Sequence, residues 1–403
     1  MTQYDFKFSE KASININIVR IIAAHLVVIG HGIMAFFSPI GGALLGAPGL
    51  GVFFAMSGIL ISYSTFRNMN KDDYDFKKFF VRRFSRIHPP LLLALIIMAI
   101  IDGFWFIYLG NPDPLNSYNI PTFLWNLLIL QDSWWGPTCF GMSRQLWPFP
   151  LFWWTYLFFG WLILGMRTTK KKYLYFILLG FFAFILVFIC LGLWTSNKIE
   201  YISLWFYGVA FSYLINKLDN YIQKKSIEND KNSEKNSVDL EKKVKKICFV
   251  IAIILFILAY VRLFTHPDPY GIICLILLNS SFFFFIIVSQ YSNKKYSVKV
   301  KKIVNFMADY TYSLFLIQYS AYYLIWLFID VVAFAEHSIP NRIIILVLMY
   351  ILSNLLAILI AYFTELKHRK INDFLLRKLH INSKSKEKKH KKGNEIQKKI
   401  VAE

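Results

Sequence analysis

An arginine and a histidine share one stripe of the first apolar run. Arg20 and His31 lie eleven residues apart. On a helix that spacing leaves them about 20° from alignment and roughly 16 Å apart along the axis. His25, about 140° round from Arg20, faces elsewhere. Burying an arginine in a membrane span costs about 2.5–3.5 kcal/mol on insertion scales, so it must face a cavity or partner, or reach back to the headgroups. An imidazole near neutral pH can act as general base or make a buried hydrogen bond. The chemistry in view is proton abstraction at His31 beside a cationic group.

Two further clusters carry chemistry. A glycine-rich run, Gly41 to Gly51, reads as an outer loop leading into a span with Ser57-Gly58 at its middle. Small residues there admit a ligand, or another helix, close to the backbone. The stretch Phe79-Phe80-Val81-Arg82-Arg83-Phe84-Ser85-Arg86-Ile87-His88-Pro89-Pro90 holds three arginines just before the third span. Guanidinium groups suit bidentate phosphate recognition, and Arg83 and Arg86 share a face if the stretch is helical. Simple cytoplasmic charge is the competing account. Asp309, Tyr310, Tyr312 and Ser313, the Trp set Trp134, Trp135, Trp147, Trp153 and Trp154, and the turn at His266 are lesser candidates. HExxH, GxSxG, Walker A and paired Cys/His patterns are missing from the sequence.

The elements that must hold these residues are membrane helices. Of 403 residues 56% are hydrophobic and only 17% charged, with 39 Phe; mean hydropathy is +0.46. A water-soluble chain cannot bury that much apolar side chain, so a soluble enzyme, a disordered chain and a fibre are excluded. The pattern predicts an all-α polytopic integral membrane protein with about ten spans: 14–37, 49–66, 90–109, 146–166, 173–194, 201–216, 247–264, 271–290, 308–330 and 342–363. The segment 121–131 is too short to cross and reads as interfacial or re-entrant. Forty of the 45 Lys and Arg then fall on one side and four on the other, with Arg20 inside the first span. That asymmetry predicts both termini in the cytoplasm.

The domain reading is a cytoplasmic segment 1–13, a transmembrane domain 14–366 with a flexible cytoplasmic loop 217–246, and a basic tail 367–403. The polar tracts 224–246 and 381–403 read as unstructured and mobile. The net charge of +21 reads as topology and attraction to the bilayer; a nucleic-acid partner is not expected, since no binding motif accompanies it. Cys139, Cys190, Cys248 and Cys274 show no pairing pattern, so neither a disulfide framework nor a metal site is expected. The first apolar run lacks a cleavage site and reads as a retained helix.

Taken together and in this order, these motifs resemble the membrane-bound acyltransferase 3 family of O-acetyltransferases. That family carries Arg or Lys, ten residues, then His in its first span, as Arg20 and His31 do here. Ser57-Gly58-Ile59-Leu60-Ile61 is similar to its SGxLI signature. Residues 79–89 match every fixed position of FFxxRxxRIxP, with Arg83 as the first arginine. The similarity covers about 14–366.

The resemblance implies a cell-membrane enzyme that moves an acyl group from cytoplasmic acyl-CoA, with acetyl-CoA expected, to a hydroxyl of a cell-surface glycan or lipid-linked sugar. It implies His31 and Arg20 as the catalytic pair, and Arg83, Arg86, Arg82 and Ser57 as the donor-binding set. No metal is expected, and the oligomeric state is not indicated. Two positions depart from the family. Many members carry a glutamate in the motif opening the fourth span, where this chain has Leu146-Trp147-Pro148-Phe149-Pro150-Leu151-Phe152-Trp153-Trp154. Many carry a histidine in a late span, where this chain has Gln318. The alternative from another class is a transporter or flippase with a polar intramembrane cavity.

Overall fold

A computed structural model describes residues 6–111, 113, 116–192, 197–228, 233–266, 268, 271–293, 295–327, 338–379 and 381. Thirteen α-helices are described, and no strand is found among these residues. They are α1 (Glu10–Phe36), α2 (Pro39–Met69), α3 (Phe76–Gly103), α4 (Ile120–Leu127), α5 (Phe149–Thr168), α6 (Lys172–Cys190), α7 (Lys198–Glu228), α8 (Ser233–Thr265), α9 (Ile272–Gln290), α10 (Val298–Asp309), α11 (Thr311–Trp326), α12 (Ile339–Phe363) and α13 (His368–Lys378).

Local chemistry fixes many of the starts. Ser9, Ser38, Asp75, Asn119, Ser297 and Ser338 each cap a helix by accepting a backbone N–H three residues on. Each such cap contributes on the order of 1 kcal/mol. Proline stands in the first turn of α2, α4 and α12, where its missing N–H costs nothing.

Two expectations are corrected. The glycine-rich run is not a loop. It is the first half of α2, and its glycines let α1 and α2 touch backbone to backbone. A Cβ on Gly30 would come within 2.7 Å of the Gly46 nitrogen, and one on Gly49 within 2.8 Å of the Ala23 carbonyl. Deeper in α2, a Cβ on Gly58 would collide with the Trp205 carbonyl of α7, so Gly58 is also a packing residue. The arginine-rich stretch is likewise not a separate element before a span beginning near residue 90. It forms the first turns of α3, which runs on through Pro89 and Pro90. Prolines usually end helices. Here packing on both sides overrides them: Phe79 and Leu91 are fully buried, and His88 stacks on Phe84 at 4.2 Å and against Trp153 at 4.6 Å.

Eight helices among the described residues are long and apolar enough to cross a membrane: α1, α2, α3, α5, α6, α8 from Leu240, α9 and α12. The class read from sequence therefore holds. The expected spans 201–216 and 308–330 fall on α7 and α11, which are not among those eight. The described part of α11 is 16 residues long, and 328–337 lie outside the described residues. Helices α6 and α8 present mostly exposed apolar side chains, such as Phe176, Phe181, Phe184, Val250, Ile254 and Ile257, as lipid-facing helices do. The short helix α4 carries residues 121–127 of the 121–131 segment, and the remainder is turn and irregular chain.

The expectation of an unstructured 224–246 does not hold for its described residues, because α7 continues to Glu228 and α8 begins at Ser233. The basic tail opens as helix α13, packed on α3; residues 382–403 lie outside the described residues.

Candidate active site

The unbroken α1 preserves the register read from sequence, and both of its polar groups turn toward α11. Arg20 Nη2 donates to Thr311 Oγ1 at 3.4 Å, and His31 Nδ1 meets Gln318 Oε1 at 3.1 Å. His25 faces α12 instead, where its Nδ1 meets the Tyr350 hydroxyl at 3.1 Å. Arg20 and His31 thus meet the same helix one above the other.

Three cavities lie around these residues. The first, about 120 Å³, is enclosed by α1, α2, α3, α5 and α11. Its polar wall holds Arg20, Ser57, Arg83, Arg86, Tyr156 and Tyr312, and its apolar wall is largely the rings Phe53, Phe149, Phe152, Trp153 and Phe315. The second, about 330 Å³, lies at the start of α3 and is lined by Arg82, Arg83, Arg86, His368 and Arg369, with Ser64, Ser85, Asn372 and Asp373. Arg83 and Arg86 border both, so a ligand with an anionic end and a long slender arm could occupy the two together. The third, about 100 Å³, holds His31 with Met34, Ala35, Gln318, Tyr319, Tyr322 and Met349.

The arginines are held in place without being neutralised by ion pairing. Arg83 donates to Ser64 Oγ at 2.6 Å and lies over the Phe79 ring at 5.4 Å, while its buried Nε–H has no partner. Arg82 lies over the Tyr74 ring at 5.0 Å. None of Arg20, Arg83 or Arg86 forms an ion pair among the described residues. Ser57 and Tyr156 share a short hydroxyl–hydroxyl hydrogen bond inside the first cavity. The nearby buried carboxylate is Glu365, which accepts from the backbone N–H and the hydroxyl of Ser313 and interacts electrostatically with Arg86 and Arg20. A buried donor left unpaired next to cationic groups suits an anionic ligand.

The structure brings together Arg20, Ser57, Arg83 and Arg86 around one cavity, with Arg82 on the adjoining one. It does not bring His31 into that cavity. Phe315 walls the first cavity and Gln318, one turn along α11, walls the third.

Sequence reasoning missed Tyr156, Glu365, His368 and Arg369. Glu365 is one acidic residue at the end of an apolar run, a signal that could have drawn notice. His368 and Arg369 were absorbed into a basic tail. The apolar rings Phe149, Phe152 and Trp153 come from the stretch that lacks the family glutamate, and line the first cavity. Outside the spans, burial pushes the Cys139 thiol up, away from the thiolate form. Among the described residues no group of His, Cys, Asp and Glu could hold a metal.

A multi-pass membrane protein with a cationic, ring-lined cavity between its helices is the class that fold and site define. The chain belongs to the acyltransferase 3 family: the family's acyltransferase domain matches residues 13–362. It is accordingly an acyltransferase, and the transporter alternative falls away. No curated protein and no solved structure matches it.

Proposed function

We propose that the protein transfers an acetyl group from acetyl-CoA to a hydroxyl of a cell-surface glycan or lipid-linked sugar, with both termini and the arginine-lined cavity on the cytoplasmic side of the cell membrane. The observation that carries this reading is the pair of adjoining cavities bordered by Arg83 and Arg86, one wide and basic, the other narrow and ring-lined. Coenzyme A phosphates would sit among Arg82, Arg83, Arg86 and Arg369, where guanidinium groups bind phosphate in pairs. The pantetheine arm would run past Ser57 and Phe152 toward Arg20.

At the far end His31 would remove the acceptor hydroxyl proton as that oxygen attacks the thioester carbonyl. The C–O bond forms, the C–S bond breaks, and the proton passes from His31 to the departing thiolate. The oxyanion formed on the way needs a donor within hydrogen-bond reach. Arg20 meets α11 at Thr311, seven residues from Gln318, so its charge would guide the thioester along the stripe and not touch the oxyanion. Tyr319 and Tyr322 beside His31 offer ring faces on which a sugar would rest. Because Phe315 walls the first cavity, its ring would have to turn aside for the thioester to reach His31, while the Gln318 contacts stay in place.

Mass spectrometry of envelope glycans and lipids, from cells with and without the gene, tests the activity. A difference of one acetyl unit is expected, and identical spectra would overturn it. Arg83→Ala and Arg86→Ala are each expected to weaken binding of acetyl-CoA to the purified protein about tenfold or more, as loss of a charge-assisted contact does. Unchanged affinity in both variants would remove the donor site from this place.

A further inference from the structure

Gln318 is fully buried and its amide is spoken for at both ends. Its Nε2 donates to the Phe315 carbonyl at 3.2 Å. A carbonyl can only accept, so this bond fixes which end of the amide carries the nitrogen. The oxygen is then the atom that faces His31 Nδ1, at 3.1 Å. An amide oxygen cannot donate, so Nδ1 must carry the hydrogen. In the neutral ring the lone pair is therefore on Nε2. His31 Nε2 has no hydrogen-bond partner among the described residues. The ring plane is held as well: Tyr319 lies edge-on to the imidazole, with centroids 5.0 Å apart.

We infer that Gln318 is a positioning residue, which locks His31 in the Nδ1–H tautomer and so presents Nε2 as the basic atom to the acceptor hydroxyl. The inference rests on His31 being the base. Without Gln318 the neutral ring would divide between two tautomers, and the fraction with hydrogen on Nε2 could not accept a proton there. The role belongs to the amide oxygen and not to side-chain volume. A methionine of similar size would keep the packing and lose the acceptor, while a glutamate would keep an acceptor oxygen at the same reach.

The test uses the full chain in lipid nanodiscs, labelled with 15N-histidine and studied by NMR at a pH where the ring is neutral. The His31 signals are those lost in His31→Asn. The wild type and Gln318→Glu are expected to show the Nδ1–H pattern, and Gln318→Met a mixture. In cells, Gln318→Met at equal protein level is expected to lower envelope acetylation by about 2- to 10-fold, as the ring divides between its two tautomers, while Gln318→Glu restores most of it. An Nε2–H pattern in the wild type, or full acetylation with Gln318→Met, would overturn the inference. Retained acetylation in His31→Asn would instead overturn the assignment of the base, and it would leave the tautomer pattern untouched, so the two failures are separable.

Discussion

His31→Ala is expected to reach wild-type levels in the membrane and to lose acetyl transfer by about 10²- to 10⁴-fold, the range that a positioned general base contributes. The side chain is half-buried, and its hydrogen-bond partner is the Gln318 oxygen. Its removal leaves one buried acceptor unmet, at a cost of about 1–3 kcal/mol, too little to dismantle a bundle of this size. The loss should therefore be in turnover. Acetyl-CoA should bind as before, since His31 borders none of the cavity that holds Arg20, Arg83 and Arg86. Envelope acetylation, acetyl-CoA titration and thermal unfolding, measured on one preparation, check all three points. A folded His31→Ala protein that still acetylates would end the catalytic assignment; one that has lost donor affinity would place His31 in the donor site instead.

The stripe from Arg20 to His31 was legible because it needs only helix geometry. Eleven residues on an unbroken helix dictate the shared face, whatever packs against it. The partner on that face was not legible. Thr311 and Gln318 arrive from nearly 300 residues further along, and no local pattern announces which helix will do so. Residues 79–89 failed as a boundary for a related reason. The two prolines carry a strong local signal to stop, yet stacking of His88 on Phe84 and Trp153 decides the outcome. The glycine run is the converse case. Glycine favours loops on backbone freedom alone, and only the approach of α1 shows why glycine is needed inside a helix.

Charge counting sets Lys198 in a loop between spans, whereas it opens α7. It is 1% exposed, and its Nζ meets the Asp132 carboxylate at 2.7 Å, with Asp132 itself 2% exposed. The same ammonium donates to the Asp132 carbonyl at 2.9 Å and the Ile189 carbonyl at 3.1 Å. Asp132 has φ +57°, a left-handed conformation that an aspartate tolerates but seldom adopts. One side chain thus ties the segment after α4 to the end of α6 and the start of α7.

Lys198→Met is expected to destabilise the protein by about 3–5 kcal/mol, because it strands a buried carboxylate together with two carbonyls. Asp132→Asn should cost less, since the ammonium keeps its two carbonyl acceptors. The double variant should be more stable than the sum of the two losses predicts, by about 0.5–3 kcal/mol, as coupled neighbours are. Thermal unfolding of the four proteins in nanodiscs gives the cycle. A loss under about 1 kcal/mol for Lys198→Met, the value of an exposed pair, or strictly additive losses, would show that the pair is not the tie. Acetyl-CoA affinity at a temperature where all four remain folded should be equal, because Lys198 and Asp132 line neither of the two cavities proposed to hold the donor.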